Sequence, residues 1–134
     1  MASVIVDTHI VVWFLDDPER LSTNASLALM DAIALSETRI YLSAISLIEI
    51  QYLVEKQRIP ATFPSTLSNE LENPDSIFEI VPIDKRVAEN LSSITRDDVP
   101  DMPDRIIAAT ASLMDIPLIT ADRAIRASGI TVIW

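Results

Sequence analysis

Short apolar strand patterns alternate with helical patterns along all 134 residues, and no other feature limits the possible folds as strongly. The first strand, Val4-Ile5-Val6, has no polar residue between its aliphatic ones, which is typical of a strand covered on both faces. Five strands are predicted, at residues 4–6, 39–42, 77–81, 117–120 and 130–134. Helices are predicted at residues 9–15, 22–36, 44–57, 65–72, 84–94, 106–111 and 121–128, the last ended by Gly129. Alternation of this kind predicts βαβ units, and therefore an α/β fold whose parallel sheet has helices on both faces.

Two predicted helices carry apolar stripes at helical spacing. The helix at 22–36 has a stripe formed by Leu27, Met30, Ile33 and Ala34. The helix at 44–57 has a stripe formed by Ile45, Ile48, Tyr52 and Leu53. A second apolar row on the same helix, formed by Leu47, Ile50 and Val54, predicts a dimer or partner surface.

Length and composition indicate one domain over residues 1–134 with a substantial core. The hydrophobic fraction of 49% argues against disorder, and no apolar run approaches the roughly 18 residues that cross a bilayer. The amino-terminal Met1-Ala2-Ser3 shows no basic export-signal region. Because the chain has no Cys, the expected compartment is the cytoplasm.

Scarce residue types exclude several kinds of chemistry. With no Cys and one His, His9, the chain cannot build a Cys/His zinc site or a thiol nucleophile. With one Gly, it has no glycine-rich phosphate loop. Acidic side chains are abundant, at 20 Asp and Glu against 10 Lys and Arg, a formal net charge of -10. Hard cations bound by oxygen ligands are therefore the expected agents of any catalysis.

Two acids stand where the pattern calls for something else. Asp7 directly follows the first strand, at the sheet edge where ligands bind in open α/β folds. Glu49 falls inside the apolar stripe of the helix at 44–57, where a buried carboxylate without a partner is costly. Ser46 and Glu49 also match a capping box, but Ser43 is the better-placed N-cap.

Two further acids stand next to helix starts. Asp101 and Asp104 precede an apolar helix, which is typical of helix capping as well as of a functional site. Asp122 follows the fourth strand and could cap the next helix, with Thr120 as the rival cap.

Asp7, Glu49, Asp104 and Asp122 are all expected at one rim of the sheet, because parallel strands end at the same edge. Two carboxylates 4 Å apart repel by about 4 kcal/mol at an effective dielectric of roughly 20, so a cluster needs protons or a divalent cation. The sequence therefore predicts a Mg²⁺ or Mn²⁺ site. Metal-assisted phosphodiester hydrolysis is the expected chemistry of such a site. The bound cation would also screen the acids from an anionic nucleic acid.

Five segments resemble, in order and nearly end to end, the PIN-domain family, and above all its VapC-type toxins of toxin-antitoxin pairs. They are DTHIVVWFL after VIV, SAISLIEI, DMPDRIIAATA, ITAD and ITVIW. The resemblance implies a PIN-like three-layer fold, a five-stranded parallel sheet in order 3-2-1-4-5, and a Mg²⁺- or Mn²⁺-dependent endoribonuclease. It also implies homodimers and neutralisation by a cognate antitoxin.

On the family pattern the acidic cluster, catalytic and metal-binding, consists of Asp7, Glu49, Asp104 and Asp122. Accessory positions are Asp101, Thr8 and Thr120. Met102-Pro103 stands between Asp101 and Asp104, where the family usually has Pro-Phe.

The other polar and aromatic residues receive plainer interpretations. Arg105 and Arg123 are near the acids in sequence and are candidates for binding substrate phosphate, with solvated salt bridges as the alternative. His9 is predicted to be a hydrogen-bonded core residue, and Trp13 and Trp134 to be packing or interface residues.

Three alternative functions make different demands on the sequence. A haloacid-dehalogenase-type phosphatase needs a second Asp two residues after Asp7, where this chain has His9. A phosphate-accepting receiver domain needs paired acids after the first strand, which are missing. A catalytically silent module whose acids bind a basic partner peptide remains open.

Overall fold

The computed structural model describes residues 3–134. Its five strands form one parallel sheet in the order β3-β2-β1-β4-β5. They are β1 (Val4–Val6), β2 (Ile40–Ser43), β3 (Phe78–Val81), β4 (Leu118–Ile119) and β5 (Val132–Ile133). The predicted fold class and strand order are therefore confirmed. The absence of an export signal was inferred partly from Met1 and Ala2, which lie outside the described residues.

The helices lie between the strands as predicted. They are α1 (Thr8–Asp16), α2 (Thr23–Ala34), α3 (Ala44–Glu55), α4 (Phe63–Glu72), α5 (Lys85–Asn90), α6 (Met102–Met114) and α7 (Arg123–Ala127). The predicted cap Ser43 accepts a hydrogen bond from the backbone N–H of Ile45. Asp84 accepts one from Val87 in the same way. Within residues 3–134, no helix is both long and apolar enough to cross a membrane.

Successive side chains of β1 point to opposite faces of the sheet, and each face carries one layer of the core. Val4 and Val6 pack in the layer that includes Leu29 of α2 and Leu67 of α4. Ile5 points the other way, into the layer built by the small residues of α6. Ala108, Ala109 and Ala111 of α6 are buried in this second layer.

The apolar stripe identified on α2 from its helical spacing is not the side of the helix that packs in the core. Leu27, Met30 and Ile33 are 54%, 63% and 49% exposed, whereas Ala25, Leu29 and Ala32 are buried. Both stripes have helical spacing, so periodicity alone cannot choose between them. The smaller side chains face inward because the helix lies close to the sheet.

Alanine substitutions on the inward and outward sides of α2 test this assignment. We expect Leu29→Ala to lower the free energy of unfolding by about 2 to 5 kcal/mol, because it removes a fully buried side chain. Met30→Ala, on the exposed side, should change it by less than about 0.5 kcal/mol. Chemical denaturation of both variants measures the difference, and equal losses would contradict the assignment.

The stripes predicted on α3 also need correction. Ile48 and Tyr52 are 52% and 60% exposed, although their stripe was predicted to face the core. Ile50, predicted to belong to a partner surface, is buried in the core. The exposed apolar surface of α3 therefore consists of Leu47, Ile48 and Tyr52. This helix contributes to both core layers, and so the side it exposes depends on neighbours far away in sequence.

Candidate metal centre

Three carboxylates from three elements meet at the carboxyl edge of the sheet. Asp7 follows β1, Glu49 lies in the second turn of α3, and Asp104 lies in the first turn of α6. One carboxylate oxygen from each lies within 4.8 Å of the other two. The convergence follows from the topology, because β1 is central and the crossover helices start at the same edge.

Asp7 is buried, and both of its carboxylate oxygens accept hydrogen bonds. The backbone N–H of Thr8 donates to Oδ1 at 2.6 Å, so that Asp7 caps α1. The hydroxyl of Thr120, at the end of β4, donates to Oδ2 at 2.7 Å. Burial raises the pKa of Asp7, and the bonds from Thr120 and Thr8 act in the opposite direction. Asp7 is thus held in one orientation by Thr8 at the start of α1 and by Thr120 directly after β4.

Glu49 is oriented by a hydroxyl relay. The Thr8 hydroxyl lies 2.6 Å from Glu49 Oε1 and 2.8 Å from Ser46 Oγ. Since a hydroxyl has one proton, Thr8 can donate to the carboxylate while accepting from Ser46. Burial raises the pKa of Glu49, and the bond from Thr8 lowers it. Ser46 is fully buried in this relay, and α3 is capped by Ser43 instead.

The protonation of Asp104 is strongly perturbed. Burial, followed by repulsion from Asp7 and Asp122, raises its pKa to about 8. Within residues 3–134 the single ion pair joins Lys85 and Glu89, so no Lys or Arg forms an ion pair with the cluster. Three half-buried or buried oxygen donors without a paired Lys or Arg fit a hard divalent cation such as Mg²⁺ or Mn²⁺.

Asp122 and Asp101 lie beside the three converging acids and cap helices. Asp122 accepts a hydrogen bond from the N–H of Ile125 at 3.0 Å and starts α7. Asp101 caps α6 through a long contact of 3.5 Å with the N–H of Asp104. The structure therefore groups three of the four predicted acids closely, and it places Asp122 at their border as a charge that also raises the pKa of Asp7 and Asp104.

The acids line an open cleft of about 570 Å³. Its residues are Asp7, His9, Trp13, Arg20, Glu49, Asp101, Asp104, Ala121 and Asp122. The prediction that His9 is a core residue is wrong, because its side chain is exposed in this cleft. The sequence analysis did not predict that Arg20 and Trp13 line this cleft, because no local sequence signal connects them with the acids.

The two arginines predicted to bind phosphate lie elsewhere. Arg105 donates to the backbone carbonyls of Ile94 and Leu91, at 2.6 and 3.1 Å, and so ties α6 to the preceding loop. Arg123 is exposed in the first turn of α7 and is not part of the cleft wall. Neither position supplies a cation to the cleft in this structure.

Known proteins share this sequence pattern and this fold. Residues 4–129 match the PIN domain family. Ribonuclease VapC22 of Mycobacterium tuberculosis is 32% identical over 126 residues, which are 94% of this chain and 92% of that protein. VapC22 is therefore a relative over nearly the whole length of both chains.

Solved structures agree in fold. VapBC2 from Rickettsia felis, bound to a DNA fragment from its promoter, matches over 96% of both chains with a TM-score of 0.71 and 18% identity. A toxin-antitoxin complex from Klebsiella pneumoniae matches over 98% of this chain and 97% of its own, with a TM-score of 0.64 and 23% identity. From the sequence match, the relative and the shared fold together, we conclude that the chain belongs to the PIN domain family.

Proposed function

We propose that this protein is a Mg²⁺- or Mn²⁺-dependent endoribonuclease that acts as the toxin of a toxin-antitoxin pair. The observation that carries the proposal is the convergence of Asp7, Glu49 and Asp104, none of which forms an ion pair with a basic residue among residues 3–134. The ribonuclease relative and the fold shared with toxin-antitoxin complexes support the choice of reaction and context.

In this proposal Asp7, Glu49 and Asp104 hold the cation, and Asp122 adds negative charge at its border. Such a cation polarises phosphoryl oxygens and lowers the pKa of water, which together promote hydrolysis of a phosphodiester. Thr120 and Thr8 act through Asp7 and Glu49, whose oxygens they hold in place. Positioning of ligands by such hydrogen bonds commonly contributes 10- to 100-fold in metal affinity or activity.

Asp104 couples cation binding to proton release. With a pKa of about 8, its carboxyl holds a proton at neutral pH when no cation is near. A carboxylate must be deprotonated to bind a metal, so the proton leaves Asp104 when the cation is taken up. We therefore expect the affinity for Mg²⁺ or Mn²⁺ to rise between pH 6 and pH 8.

The partners follow from the same proposal. An antitoxin protein and a second copy of the chain would cover exposed apolar side chains, which occur on α2 and on α3. The fold shared with VapBC2 and with a toxin-antitoxin complex supports an antitoxin as a partner. We propose that residues 1–134 form one PIN domain, and that cleavage of cellular RNA takes place in the cytoplasm.

RNA cleavage with controlled metal content tests the proposal. Purified protein stripped with EDTA should leave total RNA intact, and added Mg²⁺ or Mn²⁺ should restore cleavage. The products should carry 5′-phosphates and 3′-hydroxyls, because the 3′ oxygen is the leaving group. Ends bearing 2′,3′-cyclic phosphates would instead indicate a contaminating metal-independent nuclease. Ion uptake seen by calorimetry without cleavage of any RNA would favour the silent interaction module.

A further inference from the structure

The wall of the acidic cleft carries one Lys or Arg among residues 3–134, Arg20. This residue ends the short 3₁₀ turn Pro18–Arg20, which follows α1 and folds back along it. The Arg20 guanidinium lies over the ring of Trp13, with its carbon 4.7 Å from the ring centroid. Both residues line the same cleft as Asp7, Glu49 and Asp104.

The Trp13 ring under this guanidinium is held in place by neighbouring side chains. Its half-buried ring packs against Trp134 and His9, with centroid distances of 6.0 and 5.9 Å. An arginine stacked on an aromatic face keeps its planar group in one orientation while its N–H edges stay free. In the described part of the chain, the guanidinium of Arg20 has no ion pair, although five acids line the cleft. Its donors are therefore available to a ligand.

Arg20 supplies a positive charge to a cleft whose acids repel RNA. RNA presents a negative phosphate at every nucleotide, and it must approach five carboxyl groups in a chain with a formal net charge of -10. One bound divalent cation would compensate only part of this charge. Among the cleft-lining residues in 3–134, Arg20 is the one Lys or Arg.

We propose that Arg20, held on Trp13, binds a backbone phosphate of the RNA adjacent to the one that is hydrolysed. The inference rests on the proposed ribonuclease function and adds to it a substrate-binding residue. Arg20 thereby takes the role that the sequence pattern suggested for Arg105 and Arg123. The planar fork of arginine suits the bidentate contact that a phosphate offers.

RNA binding by Arg20→Gln tests the inference, with Arg58→Gln as the matched control. Arg58 is also exposed, lies after the carboxyl end of α3 and does not line the cleft. The probe is a fluorescein-labelled single-stranded oligoribonucleotide that spans a mapped cleavage site, with Ca²⁺ replacing Mg²⁺. Anisotropy gives the dissociation constant at several salt concentrations. Calorimetry with Mn²⁺ reports the metal site separately.

We expect Arg20→Gln to weaken RNA binding about 10-fold. It should also reduce the slope of log affinity against log salt by about 0.7, the value for one phosphate contact on a single strand. Arg20→Lys, which keeps the charge and loses the fork, should fall between wild type and Arg20→Gln. Mn²⁺ uptake and melting temperature should stay at wild-type values.

The outcomes separate the two proposals. If wild type cleaves RNA and Arg20→Gln binds RNA with the affinity and salt slope of Arg58→Gln, the role of Arg20 is refuted and the ribonuclease proposal stands. If wild type neither binds nor cleaves RNA in the presence of Mg²⁺ or Mn²⁺, both are refuted. A loss of Mn²⁺ uptake in Arg20→Gln would also overturn the inference, because the residue would then act through the metal centre.

Discussion

Asp104→Asn should abolish RNA cleavage and, in the same protein, raise the melting temperature of the metal-free form. The carboxylate is one of three whose oxygens approach within 4.8 Å, so the amide removes a charged ligand from the proposed cation site. We expect the cleavage rate to fall by more than about 100-fold, since the loss of a residue that merely supports a ligand already costs 10- to 100-fold. Initial rates with Mg²⁺ or Mn²⁺ measure the effect.

Stability should change in the opposite direction because Asp104 is repelled by Asp7, Asp122 and its other acidic neighbours. The neutral amide keeps the size of the side chain and removes this repulsion. Asp104 is only half-buried, so solvent screening reduces the gain to roughly 1 kcal/mol, or about 4 °C in a domain of this size. The melting temperature is measured with EDTA at pH 8.

Asp31→Asn is the matched control for this variant. Asp31 is an exposed acid in the carboxyl-terminal half of α2, and the same chemical change there should alter neither cleavage nor melting temperature appreciably. Asp7→Asn should abolish cleavage too, with the fold retained. Its amide oxygen can accept from Thr8, and its amide nitrogen can donate to the Thr120 hydroxyl. Cleavage by Asp104→Asn at the wild-type rate would remove this residue from the proposed site.

The metal-free protein should lose stability as the pH rises from 5 to 8, and bound Mn²⁺ should reverse this trend. The pKa of Asp104 is about 8 in the folded protein against 3.8 for the free side chain. Between these values the folded chain keeps a proton that the unfolded chain releases. The stabilisation is therefore complete below pH 4 and is lost as the pH rises through 8. Asp7 and Glu49 have pKa values raised in the same direction.

Thermal unfolding between pH 5 and pH 8 measures this dependence in two series, one with EDTA and one with saturating Mn²⁺. We expect the melting temperature in EDTA to fall by about 5 °C across the range, allowing for solvent screening of Asp104. With Mn²⁺ it should rise, because the ligands bind the cation in their deprotonated form. In Asp104→Asn the decline in EDTA should be markedly smaller. A melting temperature that stays constant or rises with pH in EDTA would contradict the raised pKa values of the three acids.

Local sequence patterns determined the order and kind of the elements. Uninterrupted aliphatic runs such as Val4-Ile5-Val6 marked buried strands, and Ser43 and Asp84 marked helix starts, because strands and caps depend on residues close together in the chain. The placement of Asp7 and Asp104 at one rim was also predictable. In a parallel sheet, chain direction alone brings strand ends and the following helix starts to the same edge.

Tertiary packing decided which side of each helix is buried and which side chains complete the cleft. Leu29 rather than Met30 faces the core, because the inward face is chosen by the shape of the neighbouring sheet and not by a spacing that both faces share. Arg20 lines the same cleft as the acids because a turn folds back over Trp13, and no local pattern encodes such a return. The sequence alone determined that carboxylates lie at one rim of an α/β sheet. Contacts between distant residues determined which three acids meet there and that Arg20 lines the same cleft.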